Sequence, residues 1–334
     1  MADPCQIVEA LLCDAVREKA SDIYLIPMEN AWAVRRRRKG AEEQIDTFSV
    51  DTGVRVVARL KVLAGLPGYI KAEPQSGAIG NIDGCKGAEW RLSIMPTRTG
   101  ERVAIRVITT DVPFQYTSDL GLSERVQAQF KLCMNRDAGL TIVTGPTGCG
   151  KSTTVYALIR ELMHHENSCA DVITLEDPVE QILPGVSQVA INRHGDFSYA
   201  DGLRSALRQD VKTLMIGEMR DAETVRVALD AALSGHRIIT TYHAGDIASV
   251  FARMLHQGAG SYLVAGAVSG VFTQRLVTGK EPGARRVISA GFLPDDDWCD
   301  FLTSNPGLSQ IRNYLQGKHP ESVLPEEGGD FARK

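Results

Sequence analysis

A chain of 334 residues is long for one domain at the usual ~150 residues apiece, and predicts two. With 43% hydrophobic and 23% charged residues and no apolar run near the ~20 residues that span a bilayer, it reads as a globular protein without a membrane span. A formal net charge of −4 argues against wholesale coating of nucleic acid, and the acid-containing start MADPCQIVEALLCDAVREKASD lacks the apolar core of a secretory signal, which predicts a cytoplasmic location.

In chain order, residues 5–20 predict an amphipathic helix, because Ile7, Val8, Leu11, Leu12, Ala15 and Val16 recur three and four apart. Short strands follow over 21–27 and 31–36. The basic run 35–39 reads as a strand entering a charged turn at Gly40, with a nucleic-acid or membrane contact as the alternative. A second amphipathic helix covers 51–66, then comes the turn-rich PQSGAIGNIDG. Residues 89–95 and 102–108 alternate polar and apolar side chains like two strands joined through PTRTGE. Residues 1–110 therefore predict a small α+β domain.

Residues 111–120, DVPFQYTSDL, contain a proline and no periodicity, and read as a linker. A helix over 123–133 opens the second domain, residues 121–315, where strand and helix patterns alternate. TIVT, DVITL, VSQVAIN, TLMIG and RIITTYH read as strands, with helices to His165, through Leu203 to Arg208, from Ala222 to Ser234 and after Asp246. Such alternation predicts an α/β fold with a mainly parallel sheet. Beyond Gly279 the pattern weakens, and 316–334 read as a flexible tail. Seven cysteines without a C-x-x-C pair, and seven histidines without clustered spacing, predict free thiols and no zinc site.

One stretch organises the rest. GPTGCGKST at 145–153 follows an apolar strand pattern and precedes a helical one, the context of a phosphate-binding loop. Gly145, Gly148 and Gly150 supply positive φ, so that the loop residues Gly145, Pro146, Thr147, Gly148, Cys149, Gly150 and Thr153 can curl around an anion at a helix N-terminus, all but Pro146 offering a backbone N–H. Lys151 is placed to reach nucleotide β and γ oxygens, and Ser152 to ligate Mg²⁺.

Hydrolysis also needs a carboxylate near the γ-phosphate. Two predicted strands end in one: DVITLEDPVE presents Glu176 and Asp177, and TLMIGEMRD presents Glu218. Parallel strands gather functional groups at their carboxyl ends, the edge the phosphate loop occupies. Glu218 is the candidate for orienting the attacking water, and Glu176–Asp177 for metal or water. A third strand, RIITTYHAGD, ends in His243, a residue type more often structural at such a place, whose company here favours function.

The order GPTGCGKST, LEDPVE, LRSALRQDVKTLMIGEMRD, TTYHAGD resembles the four boxes of the secretion ATPases that drive type II secretion, type IV pilus and competence-pilus assembly. ARLKVLAGLP followed by PQSG, and WRLSIMPTRTGERVAIRV, agree with the same resemblance over roughly residues 20–280. The resemblance implies a PAS-like N-terminal domain followed by a RecA-like ATPase domain, ATP and Mg²⁺ as cofactors, and a homo-hexameric ring. It also implies a polytopic membrane platform protein as partner, peripheral attachment to the inner face of the cell membrane through that partner, and no direct nucleic-acid contact. It assigns Lys151 and Ser152 to phosphates and metal, Glu176 to the metal, Glu218 to catalysis and His243 to sensing the γ-phosphate. It further implies that Arg91 and Arg106 swing toward the γ-phosphate, a task that suits a planar, permanently charged guanidinium.

The departures narrow the choice. No cysteine lies between Cys169 and Cys299, where many members of the family carry a tetracysteine insertion, and no retraction-type signature follows Gly279. Val211–Lys212 replaces a usual Pro-Asp, and Cys149 replaces a usual Gly or Ser, which raises thiol-sensitive nucleotide binding. With these departures, the resemblance implies a motor for a competence pilus of the compact Gram-positive type. Motors of a type II secretion or type IV pilus system, or a DNA-transfer ATPase, are the alternatives.

Overall fold

Asp3 and Pro4 start the first helix: the Asp3 carboxylate accepts the Cys5 N–H, and proline takes a position where its missing N–H goes unnoticed. The computed structural model describes residues 3–38, 41–80, 82, 85, 87–109, 114–165, 171–191, 197–278 and 285–324. The chain divides into two units, Met1–Val112 with Glu180–Ile182, and Pro113–Val179 with Leu183–Lys334.

The first unit contains α1 (Pro4–Arg17), β1 (Asp22–Pro27), β2 (Trp32–Arg38), β3 (Ala41–Phe48), α2 (Val50–Leu63), β4 (Gln75–Ile79), β5 (Ala88–Thr97) and β6 (Gly100–Thr109). Its strands form one antiparallel sheet in the order β3-β2-β1-β6-β5-β4. Ile23, Leu25, Leu92, Ile94, Val103 and Ile105 alternate onto one face, where they meet Val8 and Leu12 of α1 and Val56 and Leu60 of α2. Gly53 is buried mid-helix because a Cβ there would stand 2.3 Å from the Trp32 indole. A close approach thus outweighs the poor helix propensity of glycine.

Two strands of this unit were not foreseen. β3 is mostly exposed and lacks apolar alternation, and β4 is five residues with a central glycine. β3 and the end of α1 supply acids beside the basic run: Arg36 meets Glu43 at 2.6 Å, Arg37 meets Glu42 at 2.5 Å, and Arg38 lies 3.6 Å from Glu18. These arginines are balanced by acids on neighbouring elements, while Lys39 and Gly40 lie outside the described residues. The expectation of uniformly free thiols is corrected as well. Cys13 on α1 and Cys85 are disulfide-bonded, with Cα atoms 5.7 Å apart, because the fold brings together positions separated by 72 residues.

The second unit opens with a 3₁₀ turn, Thr117–Leu120, inside the stretch read as linker. The Thr117 N–H and hydroxyl both donate to Glu161, at 3.0 and 2.7 Å, which fixes the turn to the helix that carries Glu161. Then come α3 (Glu124–Met134), β7 (Gly139–Thr144), α4 (Lys151–His165), β8 (Val172–Glu176), β9 (Ser187–Ala190), α5 (Tyr199–Ala206), β10 (Thr213–Ile216), α6 (Ala222–Leu233) and β11 (Arg237–Tyr242). The chain continues through α7 (Ile247–His256), α8 (Ser261–Ala267), β12 (Val268–Thr278), β13 (Arg285–Phe292), α9 (Asp296–Thr303) and α10 (Leu308–Lys318).

Its sheet runs β13-β12-β7-β11-β10-β8-β9, and every pair is parallel except β12–β13. Consecutive residues feed opposite faces: Ile142, Ile216 and Ile238 enter the core under α5–α8, while Val143, Met215 and Ile239 enter the core under α3 and α4. The C-terminal segment is more ordered than its sequence pattern suggests. The Trp298 ring centroid lies 4.6 Å from that of Phe251, in a tilted arrangement, and 4.9 Å from that of Phe292, edge to face, and helix α10 extends to Lys318 in the stretch read as tail. Residues 325–334 lie outside the described residues. Among the described residues, no helix is long and apolar enough to cross a membrane.

A candidate nucleotide site at the carboxyl edge of the sheet

β7 delivers the chain into the phosphate loop. Gly145, Gly148 and Gly150 have φ of 145°, 76° and 89°, the positive range that side chains with a Cβ rarely adopt. α4 starts at Lys151, so the loop ends on a helix N-terminus, where free N–H groups favour an anion. Lys151 is buried and folds back along the loop, its Nζ donating to the carbonyls of Gly145 at 2.9 Å and Pro146 at 3.0 Å. Cys149 is also buried, and burial raises its thiol pKa, which keeps it protonated and poorly nucleophilic at neutral pH. Beside the loop lies a cavity of about 460 Å³ bounded by Leu120, Cys149, Thr153, Leu276 and Val287.

The strand order decides what faces the loop. β11 lies next to β7, β10 next to β11, and β8 next to β10, all parallel. Residues that follow these strands therefore meet at one edge. Glu218, two residues beyond β10, accepts from Arg220 at 2.5 Å, and His243 follows β11 with Nε2 3.2 Å from Glu218 Oε1. A carboxylate only accepts, so the neutral imidazole carries its proton on Nε2. Burial, then the Lys151 charge, lowers the His243 pKa, while Glu218 opposes the shift. Arg253 donates to the His243 carbonyl at 2.7 Å and so anchors the residue through its backbone.

Glu176, at the end of β8, has another set of partners. Its Oε1 accepts from Thr174 at 2.6 Å and Gln188 at 3.0 Å, and its Oε2 accepts from the Tyr156 hydroxyl. The carboxylate is 2% exposed. Arg220, Tyr156, Thr174 and Gln188 were missed from sequence; Arg220 alone carried a signal, as the cation two places after Glu218.

Arg91 and Arg106 belong to the other unit, where they stand opposite each other on β5 and β6. Arg106 is also opposite Asp22 on β1 and 3.4 Å from its carboxylate, yet its side chain is 59% exposed. An ion pair this open contributes ~0–1 kcal/mol, so the guanidinium can leave it at little cost.

The matching family model, described as type II/IV secretion system protein, covers residues 4–318. The chain belongs to this family. Among its secretion-system relatives, type II secretion system protein E of Pseudomonas aeruginosa is 34% identical over 312 residues, spanning 93% of this chain and 61% of the relative. Type IV pilus assembly ATPase PilB of Thermus thermophilus is 34% identical over 272 residues, spanning 81% of this chain and 30% of PilB. The crystal structure of the pilus retraction motor PilT with bound ADP superimposes with a TM-score of 0.73 at 26% identity, covering 92% of this chain and 89% of PilT. The chain spans little more than half the length of the type II secretion relatives it matches.

Proposed function

We propose that this secretion-family chain is an ATP-hydrolysing motor subunit of a type II secretion or type IV pilus machine. The observation that carries the reading is the meeting, on one sheet edge, of a phosphate loop with the Glu218–His243 pair. Relatives named as secretion and pilus-assembly ATPases support it.

In this reading the loop N–H groups and Lys151 bind the ATP phosphates, with Lys151 exchanging the Gly145 and Pro146 carbonyls for phosphate oxygens. Glu218, freed from Arg220, orients a water for attack on the γ-phosphorus, giving ADP and phosphate, and His243 follows the presence of the γ-phosphate through its contact with Glu218. Mg²⁺ neutralises phosphate charge in such reactions. Ser152 and Glu176 would offer the hard oxygen donors it prefers; Glu176 accepts three hydrogen bonds from the described residues, so about one of its ~four lone-pair sites would be left for the ion or its waters.

The first unit is read as a PAS-like domain whose Arg91 and Arg106 reach the γ-phosphate, and the second as a RecA-like domain. The working assembly is a homo-hexamer on a polytopic membrane platform protein, at the inner face of the membrane. A competence pilus for DNA uptake is the narrower form of this reading, favoured by the cysteine-free interval between Cys169 and Cys299. The test is gene deletion followed by assays of transformation, surface filaments and protein secretion. Lost transformation with intact secretion supports the competence role, and the reverse assigns the chain to type II export. If all three processes are intact, the motor reading is wrong.

A further inference from the structure

We propose that Gln274 is a positioning residue for the phosphate loop, fixing the Cys149–Gly150 peptide so that the Gly150 N–H faces the bound phosphate. This deepens the nucleotide-binding reading above and rests on it. β12 runs parallel to β7 with Thr273 opposite Thr144, so Gln274 comes level with the first residue of the loop. The approach is close: a Cβ on Gly145 would lie 2.3 Å from the Gln274 carbonyl oxygen. The Gln274 side chain is 3% exposed and bridges the two ends of the turn. Its Nε2 donates to the Cys149 carbonyl at 2.8 Å, and its Oε1 accepts from the Thr154 hydroxyl at 2.8 Å, within the first turn of α4.

These partners have opposite needs, a carbonyl that only accepts and a hydroxyl that can donate, so they fix which way the amide points. The consequence follows from peptide planarity. In a trans peptide the C=O and the next N–H point in opposite directions, so tying the Cys149 carbonyl to β12 aims the Gly150 N–H away from β12. That N–H belongs to the row of donors that precedes Lys151, and the φ of 89° at Gly150 continues the turn into the helix. Methionine matches the length of glutamine but can do neither job.

The test uses the full chain, with ADP and ATP titrated onto wild type, Gln274→Met, Thr154→Val and Lys151→Ala, and each apo protein melted in parallel. Gln274→Met is expected to weaken ADP and ATP binding alike by about tenfold, and to raise KM for ATP by a similar factor with kcat within about twofold, because the lost contact serves ground and transition state equally. Thr154→Val is expected to weaken binding by about threefold, and a Gln274→Met/Thr154→Val double variant, titrated in the same way, to fall no further than Gln274→Met. Unchanged nucleotide affinity in folded Gln274→Met, even with a lower apo melting temperature, overturns the proposal. If Gln274→Met does not fold, unchanged affinity in Thr154→Val does the same. Wild type that binds neither nucleotide refutes the underlying reading instead, and binding abolished only by Lys151→Ala refutes the role of Gln274 alone.

Discussion

Glu176 and Glu218 are carboxylates at the ends of adjacent parallel strands, announced by the same apolar-then-acid pattern, yet their surroundings differ. Glu176 is 2% exposed and held by three uncharged donors, Tyr156, Thr174 and Gln188. Glu218 keeps 13% of its side-chain surface and is held by charged or chargeable groups, Arg220 and His243. A guanidinium half in water can be exchanged for another partner at small cost, whereas neutral donors packed around a buried oxygen cannot. One strand-end motif thus yields two environments, Glu176 fixed among neutral donors and Glu218 in contacts that can be exchanged.

The largest expected effect tests the second half of that contrast. Glu218→Gln should lower ATP turnover by about a hundredfold or more while ADP affinity and melting temperature stay near wild type, measured by phosphate release and calorimetry. Undiminished turnover would remove Glu218 from the mechanism. Next in size, Glu176→Gln should lower stability by about 2 kcal/mol, read from urea unfolding, because an amide gives the Tyr156 and Thr174 hydroxyls a poorer acceptor. A rise in the Mg²⁺ concentration needed for half-maximal turnover should accompany it. If stability is unchanged, the idea of a fixed Glu176 is lost.

Arg220→Ala should cost less than about 1 kcal/mol of stability, since its side chain is 52% exposed, and a larger loss would mean that Glu218 is as firmly held as Glu176. The smallest effect is electrostatic. His243 should titrate by NMR below its ordinary value of 6.5, lower still in Glu218→Gln and higher in Lys151→Ala. Because the folded value is depressed, the contribution of His243 to stability is full above 6.5 and declines as pH falls through the interval down to the folded value. A midpoint above 6.5 would show that Glu218, and not burial, dominates the pair.

Much of this site was legible because its parts are local. Three positive-φ glycines before Lys151 demand a tight anion-binding turn, and a run such as TLMIG followed by Glu218 is a strand that ends in an acid. Other parts were not. β12 lacks a clean alternation, since it is buried for most of its length, so neither it nor Gln274 stood out in the sequence. The edge strands β3 and β4 carry too few apolar residues to announce themselves. The Cys13–Cys85 bond and the balance of residues 36–38 by Glu42, Glu43 and Glu18 depend on elements distant in the chain or on a strand not foreseen.

By itself the sequence determined the phosphate loop, the strand-end acids and the alternation that makes a parallel sheet, because backbone conformation and side-chain periodicity are properties of consecutive residues. Only the tertiary structure decided which strand neighbours which. Hydrogen-bond pairing between β7, β11, β10 and β8 is what sets the loop, His243, Glu218 and Glu176 in a row, and the pairing of β12 with β7 is what brings Gln274 to the loop. Strand order arises from burying two sheet faces at once, a condition on the whole chain that no short segment can express.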